Sequence, residues 1–474
     1  MFSPIRLTTL FLFVAFSILN DNVVVAAGEA GWQAGTARAV ITPDGPYWMG
    51  GYASRNRPSE GTAQDLYAKA LAVQDAGGQR FVIVTLDLLV VTRDIADAVA
   101  SEVRQRFGLP RSALLLNCSH THCGPELRLY REEVHEIPKE YAQNMHDYVA
   151  SLKQKLIQLV GDSLEGLRPA DLMASQSSAS FAINRRNNRG EEVIAERSRA
   201  GMLEGPVDHA VPVLRISDTD GHTFAVLFGY ACHNTTLSHF LTGGDYAGRA
   251  QAYLEQDHPG VTAMFVAGAG GDQNPWPRRQ VHYELQHGRS LADAVNRALS
   301  GPQLPVSGAL RVALRPAQLE FQPHAARQEL LGQLSGDNRY ARWKANYILR
   351  ELDAGRQLPR TYKLPVQAAR FGDQLLLVAI GGESVVDYSL RVKRDYASFG
   401  GETDSPAPPV VWVAGYSNDV FGYLPSLRVL REGGYEGGAH MVYTKFPGPF
   451  TETVEERIFA AIHELMKEVE IARP

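Results

Sequence analysis

The chain has 474 residues, 45% hydrophobic and 21% charged. This globular balance supplies a large core and excludes disorder, collagen and coiled-coil architectures. A net charge of −5, from 47 basic against 52 acidic residues, argues against a nucleic-acid partner, and three cysteines are too few for a disulfide framework.

The first residues read as a leader, not as part of the fold. Arg6 supplies a basic start, and Leu7–Leu19 is an apolar stretch too short to span a bilayer. Val25, Ala26 and Ala27 are the small residues a signal peptidase wants, so cleavage is expected after Ala27. Residues 28–474 would then be secreted or periplasmic; the alternative is a retained anchor helix. No later stretch is long and apolar enough to cross a membrane, which leaves only peripheral contact with one.

Strands then alternate with helices. Phe81–Leu86 is apolar and rich in β-branched residues, the pattern of a strand buried on both faces. Thr92 precedes a helix with Ile95, Val99 and Val103 on one stripe, and Leu114–Leu116 is the next strand. Pro138 opens a helix carrying Tyr141, Met145, Val149, Leu152 and Leu156. The arginine-rich stretch Asn184–Gly201 reads as a loop. Strands follow at Phe224–Phe228 and Ala263–Val266, then helices near Ala325–Leu334 and Arg339–Leu352. Leu375–Ile380 and Val410–Val413 are further strands, and Val454, Ile458, Ile462 and Leu465 mark a closing helix. The expected fold class is α/β, a mixed β-sheet core flanked by helices. Length alone suggests about three domains, but no break in composition forces a second one.

Most of these strands exit into reactive side chains. Phe81–Leu86 runs into Asp87, Leu114–Leu116 into Ser119-His120-Thr121-His122, and Phe224–Phe228 into Cys232-His233-Asn234. Ala263–Val266 leads to Gly268–Asn274, Leu375–Ile380 to Glu383, and Val410–Val413 to Tyr416, Asn418 and Tyr423. Ligands of α/β sheets bind beyond the carboxyl ends of strands, so one composite site is expected.

His120 and His122 form an H-x-H pair, and residues two apart on an extended backbone face one side. Both imidazoles could approach one ion, or both could be hydrogen-bonded strand-end histidines. His233 and Glu383 are the natural residues to complete a zinc site, although each alone reads as structural. Cys118, Cys123 and Cys232 lie close by. They are read as small buried residues, with thiolate ligation or a Cys232 disulfide as alternatives. Gly268–Gly271 lacks the lysine of a phosphate loop and is read as permitting close backbone approach.

Four motifs in this order, Ser119–Pro125, Ile183-Asn184-Arg185, Gly270–Pro275 and Tyr435-Glu436-Gly437-Gly438, resemble those of the neutral ceramidases. The resemblance runs from about Trp32 to the last helix and concerns the N-terminal catalytic domain of that family. The immunoglobulin-like C-terminal domain of many members is not expected here. It implies an amide hydrolase that uses one Zn²⁺ and water. It further implies His120, His233, Glu383 and Tyr423 as metal ligands, Tyr423 being identified by its spacing to Tyr435. His122 becomes an acid/base group, and Arg185 and Tyr435 face the scissile amide. At one position the chain departs from the pattern: Asn274 stands where ceramidases carry an active-site serine. A serine nucleophile is thereby ruled out at that position, whereas metal-activated water does not need one. The expected partner is a small-molecule or lipid amide. The alternatives are a non-lipid amide or ester, and a silent metal-containing binding protein.

Overall fold

Long runs of Val, Leu, Ile and Ala form strands that stay dry on both faces only if each sheet is covered twice. The computed structural model, which describes Met1 and residues 31–399 and 408–471, meets that demand with four layers. The expected leader and its cleavage site lie outside the described residues.

The larger sheet has nine strands. Its main path runs Thr262–Ala267, Thr223–Tyr230, Ala210–Ser217, Arg168–Ser178, Trp32–Val40, Tyr67–Gln74, Arg80–Leu86 and Leu114–Cys118, with Leu304–Pro305 paired to Arg168–Ser178. The outermost pair at each end is parallel and the pairs between them are antiparallel. A second sheet orders Leu310–Glu320, Thr361–Phe371, Leu375–Ile380 and Val410–Ala414, the last two parallel. The mixed sheet expected from the sequence is present.

Helices Arg93–Phe107, Lys139–Glu165, Asp245–Asp257 and Val281–Ser300 cover the outer face of the large sheet through residues such as Val99, Leu156, Ala250 and Leu291. Its inner face packs Phe81, Leu115 and Met264 toward Phe371, Leu377 and Trp412 of the second sheet. Helices Val386–Phe399 and Val454–Ile471 close the far side with Tyr388, Ile458 and Phe459.

The large sheet curls until its two edge strands meet, and a side chain joins them. Asn117 Oδ1 accepts from the Ala267 N–H at 2.8 Å, and its Nδ2 donates to the carbonyls of Ala267 at 3.3 Å and Gly415 at 2.7 Å. The carboxyl ends of three parallel strand pairs are thereby gathered at one place.

Two expectations change. Asn184–Gly201 is not all loop, because Glu191–Ala200 is a helix closed by Gly201 in the left-handed region. Glu191 and Glu192 in its first turn and Arg197 and Arg199 in its last complement the helix dipole. Ile194 is its one buried residue, so no apolar stripe announces it. The three cysteines are free and buried, which removes the disulfide alternative.

Candidate metal centre

Parallel neighbours end at the same edge, so residues just past them converge. His120 lies two residues beyond Leu114–Cys118, and His233 three beyond Thr223–Tyr230. Glu383 follows Leu375–Ile380 and pairs in register with Tyr423 in a short parallel ladder, which sets the two oxygen donors side by side. Three of the non-glycine residues with left-handed φ stand here: His120 (60°), Tyr416 (50°) and Asn418 (62°). Each costs about 1 kcal/mol or more. The turns are held by hydrogen bonds from His120 N to Leu88 O, Tyr416 N to Gly382 O and Asn418 N to Leu116 O.

Glycine is required at Gly270 and Gly271 by proximity alone. A Cβ at Gly270 would lie 2.5 Å from Cys232 N, and one at Gly271 2.5 Å from Glu383 O. The close backbone approach expected from the sequence therefore joins the His233 segment to the Glu383 segment.

The donor atoms share one focus. Glu383 Oε2 is 3.1 Å from His120 Nε2 and 3.3 Å from His233 Nε2, and the Tyr423 hydroxyl is 3.1 Å from His233 Nε2. Ligands about 2.0–2.1 Å from a tetrahedral ion are about 3.3–3.4 Å from one another, so these spacings suit the edges of such a shell. Glu383 Oε2 is buried without a properly directed hydrogen bond. His120 Nδ1 donates to Leu89 O and His233 Nδ1 to Gly270 O, both at 2.7 Å. This fixes the tautomers and turns both Nε2 lone pairs inward, the arrangement that metal-binding imidazoles use. The residues present therefore fit a zinc ion.

His122 is placed differently. Its Nε2 is 3.2 Å from His120 Nε2, so it too reaches the focus, and the three imidazoles together form a possible ion-binding group. Its Nδ1, however, is buried without a partner, and its ring leans on Tyr52 with centroids 4.7 Å apart. No carbonyl locks its tautomer.

Burial dominates the electrostatics. It depresses His122 well below the usual imidazole range, helped by His120 and His233, and takes His233 to about 4 with Arg185 adding to the effect. Burial acts against ionised Glu383 but is outweighed by His120 and His233, which hold its carboxyl well below the ordinary range. The Tyr423 hydroxyl is pushed well above 10 by burial, with Arg185 pulling the other way. A tyrosinate at that position requires a further positive charge at the focus.

Arg185 Nη2 donates to the Tyr423 hydroxyl at 3.0 Å, its Nε to Glu436 at 2.7 Å and its Nη1 to Asn274 Oδ1 at 3.3 Å. The Tyr435 ring packs 5.3 Å from Tyr423 and remains 46% exposed. His120, His122, Glu383, Tyr423 and Tyr435 line a polar cavity of about 40 Å³ with Arg128 and Arg131, room for a few waters. Arg185, Asn274 and the other side of Tyr435 line a separate groove of about 520 Å³. Asn274 thus reaches the focus only through Arg185. Three participants escaped the sequence reading: Tyr52, Glu436 and His440, whose Nε2 accepts from Tyr423 N at 3.1 Å. Glu436 sits inside the Tyr435–Gly438 motif, which is its only signal; Tyr52 and His440 carry none.

The chain matches the family model described as "Neutral/alkaline non-lysosomal ceramidase, N-terminal" over residues 32–274. It is similar to neutral ceramidase A of Dictyostelium discoideum, 27% identical over 282 residues, which are 55% of this chain and 38% of that protein. Neutral ceramidase B of the same organism is 26% identical over 281 residues, 54% of this chain and 37% of that one. The match therefore spans well under half the length of these relatives. Among solved structures, neutral ceramidase from Pseudomonas aeruginosa superimposes with a TM-score of 0.70 at 18% identity, covering 94% of this chain and 75% of that one. A ceramidase complexed with C2 gives a TM-score of 0.68 at 17% identity; at such identities the likeness is one of fold. By the extent of the family match, the chain belongs to the neutral/alkaline non-lysosomal ceramidase family.

Proposed function

We propose that this chain is an exported zinc-dependent amidohydrolase that cleaves an N-acyl, ceramide-like amide, with residues 1–27 a leader and residues 28–474 the catalytic domain. The observation that carries the reading is the shared focus of His120, His233, Glu383 and Tyr423, with 3.1–3.3 Å between donors. Those four residues would hold the ion. When bound, zinc supplies Lewis acidity toward an amide carbonyl and makes water a better nucleophile near neutral pH.

The protein's own groups do the rest. His122, buried and without a partner on Nδ1, takes a proton from water and returns it to the leaving amine. Arg185, held by Glu436, and the hydroxyl of Tyr435 stabilise the oxyanion as charge develops on the carbonyl oxygen. Asn274 steadies Arg185 and takes no covalent part.

A second reading keeps the chemistry but replaces the lipid by a non-lipid amide or ester. The small polar cavity with Arg128 and Arg131 in its wall favours it, since a lipid site is a larger apolar slot. Metal analysis combined with a hydrolysis screen over N-acyl lipids, N-acyl amino acids and simple esters tests both. Stoichiometric zinc with chelator-sensitive amide cleavage is expected; zinc-free protein whose activity ignores chelator would exclude the mechanism.

A further inference from the structure

The groove beyond Tyr435 has a charge imbalance that the centre does not explain. Arg185, Arg186, Arg189 and Arg278 line it against two carboxylates, Glu436 and Glu191. Glu436 is already shared, accepting from Arg185 at 2.7 Å and Arg186 at 2.6 Å; Arg186 is paired a second time, with Glu432 at 3.0 Å, and Glu191 is exposed, which leaves Arg189 and Arg278 as the excess. Arg189 donates its Nε to Arg186 O and meets no carboxylate among the described residues.

Arg278 is the sharper case. It is half-buried and, among the described residues, has neither a hydrogen-bond nor an ion-pair partner. Burial and the like charges of Arg279 and Arg185 lower its pKa, so the guanidinium stands there against its surroundings. Arg279, held at a left-handed φ of 81°, places its guanidinium 5.5 Å from the Tyr52 ring, which itself packs on His122. The cations therefore lie between the groove and the His122 side of the centre. A half-buried guanidinium without an anion is costly unless a ligand brings one, and guanidinium forks match carboxylate and phosphate oxygens.

We propose that the groove is a substrate subsite whose Arg278, next to Arg279 in the chain and sharing the groove lining with Arg189, receives an anionic carboxylate or phosphate group carried by the amide substrate. This rests on the amidohydrolase reading and narrows it, because a plain ceramide is uncharged. Trp276, Ile183 and Ile194 give the same groove an apolar side for the chain that joins the anion to the amide.

The test measures binding and turnover separately on the full chain as purified. Calorimetry compares decanoate and decyl phosphate with decanol, none of which contains an amide. Both anions, or one of them, should bind at least about tenfold more tightly than decanol, the scale of one charge-assisted hydrogen bond. The preferred anion identifies the group. Arg278→Gln should remove that advantage with metal content unchanged, and Arg278→Lys should restore part of it; Arg189→Gln, at an exposed position, gives a weaker effect. Turnover is read on N-decanoylglycine against N-decanoylethanolamine, with the anionic amide preferred. Anions no tighter than decanol, or Arg278→Gln binding them as wild type does, would overturn the subsite. Anion binding without cleavage of either amide would keep the subsite and sink the hydrolase reading.

Discussion

The two halves of the centre are aimed by different forces. On the large-sheet side, His120 and His233 are fixed by the main chain, each ring tied to a carbonyl at 2.7 Å. On the second-sheet side the donors are oxygens that the main-chain ladder sets side by side, and neighbouring charges hold their side chains. Tyr423 answers to Arg185, which answers to Glu436, which also holds Arg186. Backbone aiming tolerates changes of charge but not of shape, whereas charge aiming tolerates small shifts but not a lost partner. His122 belongs to neither scheme.

The strongest way to break this comparison is to remove one donor from each half. His120→Ala and Glu383→Ala should both lose metal and activity together, with some stability, since metal binding couples to folding. Metal content by emission spectroscopy and thermal melts check this. His122→Ala comes next: it should keep the metal while activity falls by roughly 10²–10⁴, the range of general acid–base catalysis. An emptied site in that variant with zinc still bound in His120→Ala would reverse the assignment. Equal metal loss in both would restore the simple H-x-H reading.

Shape is tested more gently at Gly271. A methyl there meets Glu383 O, so Gly271→Ala should cost about 1–3 kcal/mol and weaken metal retention although no ligand is touched. Unchanged denaturant midpoints would show that the two segments can part without penalty.

A comparable effect, confined to acid pH, concerns the cations of the cavity wall. Glu126 is buried, which disfavours its charge, yet Arg128 and Arg131 outweigh that and lower its carboxyl to about 2. A depressed carboxylate contributes stability above its unfolded value of about 4.5, lost as pH falls from there through about 2. Melting temperatures should therefore drop across that window, and Glu126→Gln should flatten that part of the curve. An equally steep fall in the variant would place the acid lability elsewhere.

What the sequence made legible was whatever the strands dictate. Leu114–Leu116 and Phe224–Phe228 are recognisable runs, and a residue two or three places past a buried strand has few places to go. His120, His233 and Glu383 are candidates for that reason, and Tyr423 only through the resemblance to the neutral ceramidases, whose spacing to the Tyr435 motif it matches. Glu191–Ala200 was not visible, because its packing is too slight to leave a period. Tyr52 from a loop and His440 from a short 3-10 turn, Ala439–Tyr443, are brought in by tertiary contacts, and Arg278 looks like any other arginine until its lack of a partner among the described residues is seen. The order of strands across the large sheet was equally hidden, because it turns on non-local pairings such as Trp32 with Ala170 and Leu304 with Ala174 that leave no local pattern.

The amide of Asn117 carries a consequence for time rather than for geometry. The wall that joins the His120 strand to the Gly268–Gly271 segment is sewn by that side chain, with its three bonds to Ala267 and Gly415, together with main-chain bonds such as Gly415 N to Ala267 O at 3.0 Å and Cys118 N to Tyr416 O at 3.1 Å. A seam with so few bonds opens by a local fluctuation, at far lower cost than global unfolding. Each such opening loosens the segments carrying the two locked imidazoles. The dwell time of any ion held between them should therefore shorten in Asn117→Ala, a change that touches no donor of the focus.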